Sequence, residues 1–237
     1  MKLKHILYFL ISVVFFPSCE KIEGYGPVLT EVRNHKNYEG LRVSICGQVN
    51  FQVAPEYKVE IQAQANILDE LITKVDDDIL VLKWDHPLRI RNCEDITVHI
   101  QGPDLNSIFS SGASDIKVTG EVKERDLDLD ISGSGSIVIQ ETLITNRITA
   151  HLSGSGEMYI DRGKAAETEL YVSGSGEIDF GKIESLENKS HISGSGSIVV
   201  FVKDILEAQI SGSGDVYYLG DPRVDAKISG SGRVKKR

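Results

Sequence analysis

What this chain lacks narrows its chemistry before any motif is read. It has no excess of positive charge: 26 Lys and Arg against 35 Asp and Glu give a net charge of −9. Nucleic acid and anionic membrane faces both need clustered cations, so neither is expected as a partner. The one basic cluster, Lys235-Lys236-Arg237, closes the chain and reads as a solvated end. There is no apolar run of the ~20 residues a membrane span requires. The longest, residues 6–16, has 11. None of the six histidines sits in a metal-ligand spacing, and the Gly-Ser-Gly triplets are not the G-x-S-x-G elbow of a serine hydrolase. No catalytic residue, metal or cofactor is therefore assigned. Only three cysteines are present, Cys19, Cys46 and Cys93.

The short apolar run has a use. Lys2 and Lys4 precede it, and Phe16-Pro17-Ser18-Cys19 follows it. A charged start, an apolar stretch of this length and a small residue before a cysteine form a secretion signal that resembles the bacterial lipobox. The expectation is a signal peptide over residues 1–18, acylation at Cys19, and a tether over 19–37. The lipid is the only membrane contact expected, on a cell-envelope, outer-membrane lipoprotein. Cys46 and Cys93 then remain. In an exported chain they form either one disulfide or a pair of buried free thiols.

What is abundant is a repeat. Ser-Gly-Ser-Gly tetrads begin at Ser132, Ser153, Ser173, Ser193, Ser211 and Ser229, 18 to 21 residues apart, with a degenerate copy at Ser111-Gly112-Ala113-Ser114. A period near 20 marks a solenoid with one supersecondary unit per repeat. Apolar residues alternate on both sides of each tetrad. Before it stand Leu127/Leu129/Ile131, Ile148/Ala150/Leu152, Leu170/Val172, Leu206/Ala208/Ile210 and Val224/Ala226/Ile228. After it come Ile137/Ile139, Met158/Ile160, Ile178/Phe180, Ile198/Val200 and Val216/Tyr218. Residues two apart share a strand face. Each coil therefore reads as strand, tight turn, strand and looser return, and stacked coils give two parallel sheets with apolar faces together. The turn glycines are Gly133/Gly135, Gly154/Gly156, Gly174/Gly176, Gly194/Gly196, Gly212/Gly214 and Gly230/Gly232. Glycine supplies positive φ at a sharp corner, and a column of serines suits the stack through hydroxyl hydrogen bonds. Calcium in these turns is excluded. The calcium nonapeptide needs Asp at its sixth position, where this chain has Ile137, Met158, Ile178, Ile198, Val216 and Val234.

The half before the repeats, residues 38–109, is less regular. Strands are expected at 41–46, 48–53, 57–64, 79–84 and 95–101, a helical turn at 65–71, an acidic hairpin turn at 75–79 and a loop at 84–92. This part either continues the solenoid of residues 110–237 or caps its end, since an open solenoid end is a bare strand edge. No linker divides the two, so residues 38–237 read as one all-β domain.

The tetrads, the closing stretch Tyr217 to Pro222, the early segment Val59-Glu60-Ile61, and the runs Asn66 to Ile72 and Asp78 to Leu82 resemble the putative auto-transporter adhesin, head GIN domain family of Bacteroidetes lipoproteins. The resemblance spans residues 38–237. It implies a β-helical fold and a role in adhesion, and supplies no catalytic residues.

Function must then lie on outward positions. Val199, Phe201, Tyr217 and Leu219 are apolar at outward positions, with Val199 expected beside Tyr217 and Phe201 beside Leu219. They form either a contact patch for self-association or a partner, or a surface covered by an intrachain loop. Tyr159 and Tyr171 are outward too, as sugar-stacking rings or as ordinary strand tyrosines. The leading reading is a binding or adhesion solenoid whose ligand is a cell-surface glycan or protein. A structural envelope component without an external ligand comes next, and a polysaccharide-acting enzyme using Asp128 and Asp130 comes last.

Overall fold

The computed structural model describes residues 20–237; the expected signal peptide over residues 1–18 and the expected acylation site Cys19 lie outside the described residues. Those residues form an all-β solenoid of about 6 turns. In the first half they comprise β1 (Glu20–Glu23), β2 (Val28–Val32), β3 (Gly40–Ser44), β4 (Cys46–Val53), β5 (Lys58–Gln64), α1 (Ala65–Leu68), β6 (Leu71–Asp76), β7 (Ile79–Trp84), β8 (Leu88–Arg91) and β9 (Thr97–Gly102). The coils follow: β10 (Ser107–Thr119), β11 (Val122–Gly133), β12 (Ser136–Gly154), β13 (Glu157–Gly174), β14 (Glu177–Gly194), β15 (Ser197–Gly212), β16 (Asp215–Leu219), β17 (Arg223–Gly230) and β18 (Arg233–Lys236).

Each long strand is a whole turn of the solenoid. In β12 burial alternates through Ile137 and Ile139, loses phase at Gln140–Glu141, and resumes at Leu143 and Thr145. It loses phase again at Asn146–Arg147 and resumes at Ile148, Ala150 and Leu152. Two adjacent exposed residues cannot belong to one flat strand, so each pair marks a bend. The return expected to be loose is thus itself a strand, the second of three faces in coil order, lying between the strand after one tetrad and the strand before the next: Thr142, Leu143 and Ile144 pair in parallel with Arg162, Gly163 and Lys164. The coil has three faces where the sequence suggested two. The shorter coils of β15 give up residues here, and the register jumps between Phe180 and Glu184.

Inside, the alternation holds. Leu127, Leu129, Ile131, Ile148, Ala150, Leu152, Leu170, Val172, Leu206, Ala208 and Ile210 are all buried. So are Ile137, Met158, Ile178, Ile198 and Val216, the residues standing where calcium ligands would be. One coil differs. Asn188 donates to Thr168 Oγ1 at 2.8 Å and accepts from Ser190 Oγ at 2.6 Å, all at most 1% exposed. The buried polar groups satisfy one another, which makes the substitution of apolar residues tolerable.

The two glycines of a tetrad are needed for different reasons. The first adopts positive φ, +127° at Gly174, and a Cβ there would meet the carbonyl oxygen of Gly154 one coil below. The second glycines, Gly135, Gly156, Gly176, Gly196, Gly214 and Gly232, correct the expectation that both supply the corner's positive φ. None of the six adopts it, and all six are buried. Space, not backbone conformation, excludes a side chain from them. A Cβ on Gly135 would collide with the carbonyl oxygen of Ser114, and on each of the other five with that of the second glycine one coil below. From Gly176 onward it would also strike an inward side chain: Leu152 at Gly176, Val172 at Gly196, Ile192 at Gly214 and Ile210 at Gly232.

The corner is joined to the next coil by backbone alone, with Ser175 and Gly176 N–H donating to Gly154 O at 2.9 and 3.1 Å. The expected serine ladder of hydrogen bonds is not formed: among the described residues no bond joins the hydroxyls of Ser132, Ser153, Ser173, Ser193, Ser211 and Ser229, which point to solvent. The degenerate tetrad is adapted to its neighbour. Ser114 replaces the second glycine, is fully buried, and donates to Ile45 O at 2.7 Å.

The first half both continues the solenoid and caps it. β3 and β4 pair in parallel with β10, and β7 and β9 add a further parallel rung outside them. The chain then reverses: β6 pairs antiparallel with β7, and β5 with β9 and β2. Asp77 and Asp78, with φ of 49° and 61°, make the tight β6–β7 turn. The stretch 19–37, read as a tether, carries β1 and β2, and the loop expected at 84–92 contains β8, which pairs with β1. Cys46 and Cys93 lie with sulfurs 2.01 Å apart and Cα atoms 5.5 Å apart, in the geometry of a disulfide that ties the first coil's corner to the returning chain. Among the described residues the far end has no such cover, and nothing pairs with the outer edges of β17 and β18.

Gly174→Ala should cost about 2 kcal/mol or more through backbone strain and collision, and the neighbouring Ser173→Ala less than about 0.5 kcal/mol. Chemical unfolding followed by circular dichroism measures both. Alkylation of the denatured chain should spare Cys46 and Cys93 until reductant is added; labelling without reductant would exclude the bond.

Candidate functional site

Stacking places every outward residue in a column. On the third face, Phe109 of β10 is followed by Asp130, His151, Tyr171, His191, Gln209 and Lys227 in strict register. His151, Tyr171 and His191 form a ladder. Their ring centroids are 4.5 and 4.8 Å apart and their planes lie within 7° and 5°. Such spacing is the coil repeat itself, ~4.8 Å. Beside this column runs that of the first tetrad serines. Between the two lies a groove of about 560 Å³ bordered by His151, Tyr171, His191, Gln209 and Lys227 on one side and Ser153, Ser173, Ser193, Ser211 and Ser229 on the other. It follows the solenoid axis for five coils, roughly 19 Å.

The ladder's geometry decides what it offers. Each ring's faces are directed along the axis and Tyr171 is sandwiched on both sides, so solvent meets ring edges. Those edges carry imidazole nitrogens and a phenol hydroxyl, and the serine column adds hydroxyls at the same interval. Sugar stacking on Tyr171 is thus blocked. Tyr159 is tied at its edge instead: its hydroxyl donates to Asp161 at 3.1 Å and accepts from Lys182 Nζ at 2.6 Å. Tyr171 is better described as a strand tyrosine with occupied faces.

The groove's outer flank is a charge network. Lys189 Nζ donates to Glu167 at 3.0 Å and Glu169 at 3.1 Å, and Arg147 reaches Glu167 at 2.8 Å. The Lys189 hydrogen bond, with Arg147 adding to it, holds the Glu167 carboxyl below its ordinary 4.5, and the two carboxylates push Lys189 upward. Asp128 and Asp130 stand outward on the neighbouring coil, in the columns of Thr149 and His151. No group of three or more acidic, His or Cys side chains suited to a metal occurs among the described residues.

The apolar patch is divided by the fold. Val199 pairs with Tyr217 and Phe201 with Leu219, as the spacing predicted. Yet Val199 is only 2% exposed, and the Tyr217 ring is covered by Arg237 at 4.5 Å while its hydroxyl donates to Asp215. Cover comes from side chains, not from a loop. Phe201 and Leu219 instead border a second groove of about 580 Å³ with Ile144, Arg162, Lys164 and Lys182. It opens where Gly163 and Gly181 lack side chains.

In the sequence Tyr171 stands out as an outward ring, whereas His151 and His191 do not. The signal was present: His, Tyr and His each stand two residues before the tetrad in three successive repeats.

A three-faced parallel solenoid, capped at one end and bearing stacked outward columns, defines a class of elongated β-proteins that display side chains at fixed intervals. Within that class the chain belongs to the family described as "Putative auto-transporter adhesin, head GIN domain", whose model matches residues 37–222. Solved structures share the fold. A putative adhesin of Bacteroides fragilis is 22% identical with a TM-score of 0.85, covering 91% of this chain and 100% of its own. A putative lipid binding protein of Parabacteroides distasonis is 20% identical with a TM-score of 0.75, covering 92% and 100%. A putative adhesin of Parabacteroides merdae is 17% identical with a TM-score of 0.69, again covering 92% and 100%. No curated protein matches the chain.

Because Glu167 is held charged, its contribution to stability is complete above pH 4.5 and disappears as pH falls through its lowered value. The melting-temperature difference between the native chain and Glu167→Gln should therefore be full at neutral pH and vanish in acid. A difference that persists unchanged at low pH would contradict the network.

Proposed function

We propose that this chain is a lipid-anchored envelope protein that uses its rigid solenoid to bind an extended, hydroxyl-rich polymer, a cell-surface glycan, along the third face. The observation carrying this reading is the groove between the His151–Tyr171–His191 ladder and the serine column. It is long and open, with hydrogen-bonding edges that recur at the coil spacing along both sides and Leu152, Val172, Ile192, Ile210 and Ile228 between them. A repeating polymer can make the same contact several times over, and weak contacts summed along one molecule give useful affinity. A rigid scaffold adds little ordering cost on binding. The family description and that of the Bacteroides fragilis protein both name adhesion, which agrees with such a role. The lipid at Cys19 would hold the solenoid at the membrane; no helix among the described residues is long and apolar enough to cross one.

Two measurements test this. Replacing Tyr171 and His191 together by Ala should abolish retention on insoluble envelope polysaccharide, while Lys164→Ala on the second face should leave it intact. Equal retention of both variants would refute the groove as the site. Protease added to intact cells should degrade the protein, and Cys19→Ser should release it from the membrane fraction; full protection would favour a structural component facing the periplasm.

A further inference from the structure

The C-terminal rung exposes what every other rung buries. Val224, Ala226 and Ile228 lie in register with the buried Leu206, Ala208 and Ile210, yet Val224 is 37% and Ile228 45% exposed. The strand carrying them, β17, has an unpaired outer edge among the described residues. An edge that is both apolar on its inner side and free to hydrogen-bond is a template for another strand.

The sequence of β17 says which strand. We propose that two copies of this chain pair head to head, β17 against β17 in antiparallel register about a two-fold axis through Ala226. Inward residues must face inward residues across such a pair, so only a few registers are open. Centring on Asp225 sets Asp225 against itself and Arg223 against Lys227. Centring on Lys227 sets that lysine against itself. Centring on Ala226 places Asp225 opposite Lys227 of the second copy twice over, and Val224 opposite Ile228 twice over. Opposite charges and apolar side chains directly across an antiparallel pair stabilise it, whereas like charges oppose it.

The solenoid's shape favours the same axis. Val224, Ala226 and Ile228 span the third face, so an axis at its middle residue keeps the corners of both copies aligned. That two-fold also exchanges the first and second faces. It carries β18 of each copy toward residues 219–222 of the other, where the Asp221 side chain is 99% exposed. The basic Arg233, Lys235 and Lys236 of the two copies are thereby kept on different faces. The interface is isologous and closes on itself, giving a dimer with both caps outward and no further growth. At the other end β5, β6 and β2 run antiparallel over the rungs, so stacking head to tail finds no matching parallel edge there.

Charge reversal tests both the pairing and its register. Sedimentation velocity on the full chain in detergent should show a dimer. Asp225→Lys or Lys227→Asp alone places like charges opposite at both symmetric positions and should weaken dimerisation roughly tenfold or more. The double variant D225K/K227D restores opposite charges and should recover the dimer. Both side chains are outward and exposed, and circular dichroism confirms that each variant folds. A monomer at all concentrations would overturn the proposal. So would a dimer indifferent to the single reversals, or one that the double variant fails to rescue.

Discussion

Everything in this molecule depends on the parallel backbone hydrogen bonding between successive coils. Once those bonds set the spacing near 4.8 Å, each residue lies directly over its equivalent one turn away. A side chain is then chosen against its column as much as against its sequence neighbours. The corner shows this most sharply. There, glycine above glycine lets the amides of Ser175 and Gly176 reach the carbonyl of Gly154, and any Cβ in the column would occupy the same space.

The column rule also orders the outer surface. Like charges stacked at one spacing repel, and on the third face the Glu167 carboxylate is offset by Arg147 in its own column and by Lys189 in the neighbouring one. Rings in one column lie flat on each other, as His151, Tyr171 and His191 do. The result is a surface of edges and hydroxyls in place of exposed ring faces, and this changes the ligand chemistry it suits. Burial follows the same logic: Thr168, Asn188 and Ser190 can occupy inward columns because each finds a partner on its own or the adjacent coil.

A stacked array has two ends, and they are treated differently. The N-terminal end is closed by reversal of chain direction, with α1 adding the buried Ile67 and Leu68 and the Cys46–Cys93 link tying the returning chain to the first corner. The C-terminal end presents the solenoid's cross-section, apolar columns included. The same stacking that builds the interior thus leaves a surface complementary to a strand of suitable register.

The sequence by itself determined the repeat, the inward columns, the corner positions and the exclusion of calcium, because period-two alternation and glycine placement are local properties that survive being read in one dimension. It even paired Val199 with Tyr217 and Phe201 with Leu219, since coils of equal length keep a constant offset. Only the tertiary structure decided the returning second face, whose short stretches between bends carry two inward residues at most. It also told the two glycines of a tetrad apart: the first adopts positive φ, whereas the second does not and is required only because the coil below leaves no room for a Cβ. The apolar patch was split in the same way, by Arg237 lying over Tyr217. Cys46 and Cys93, 47 residues apart, meet only because the chain leaves after β4 and returns through β9. The ladder needed both kinds of information: its residues recur at a fixed offset from the tetrad, but that their rings lie face to face is a consequence of stacking.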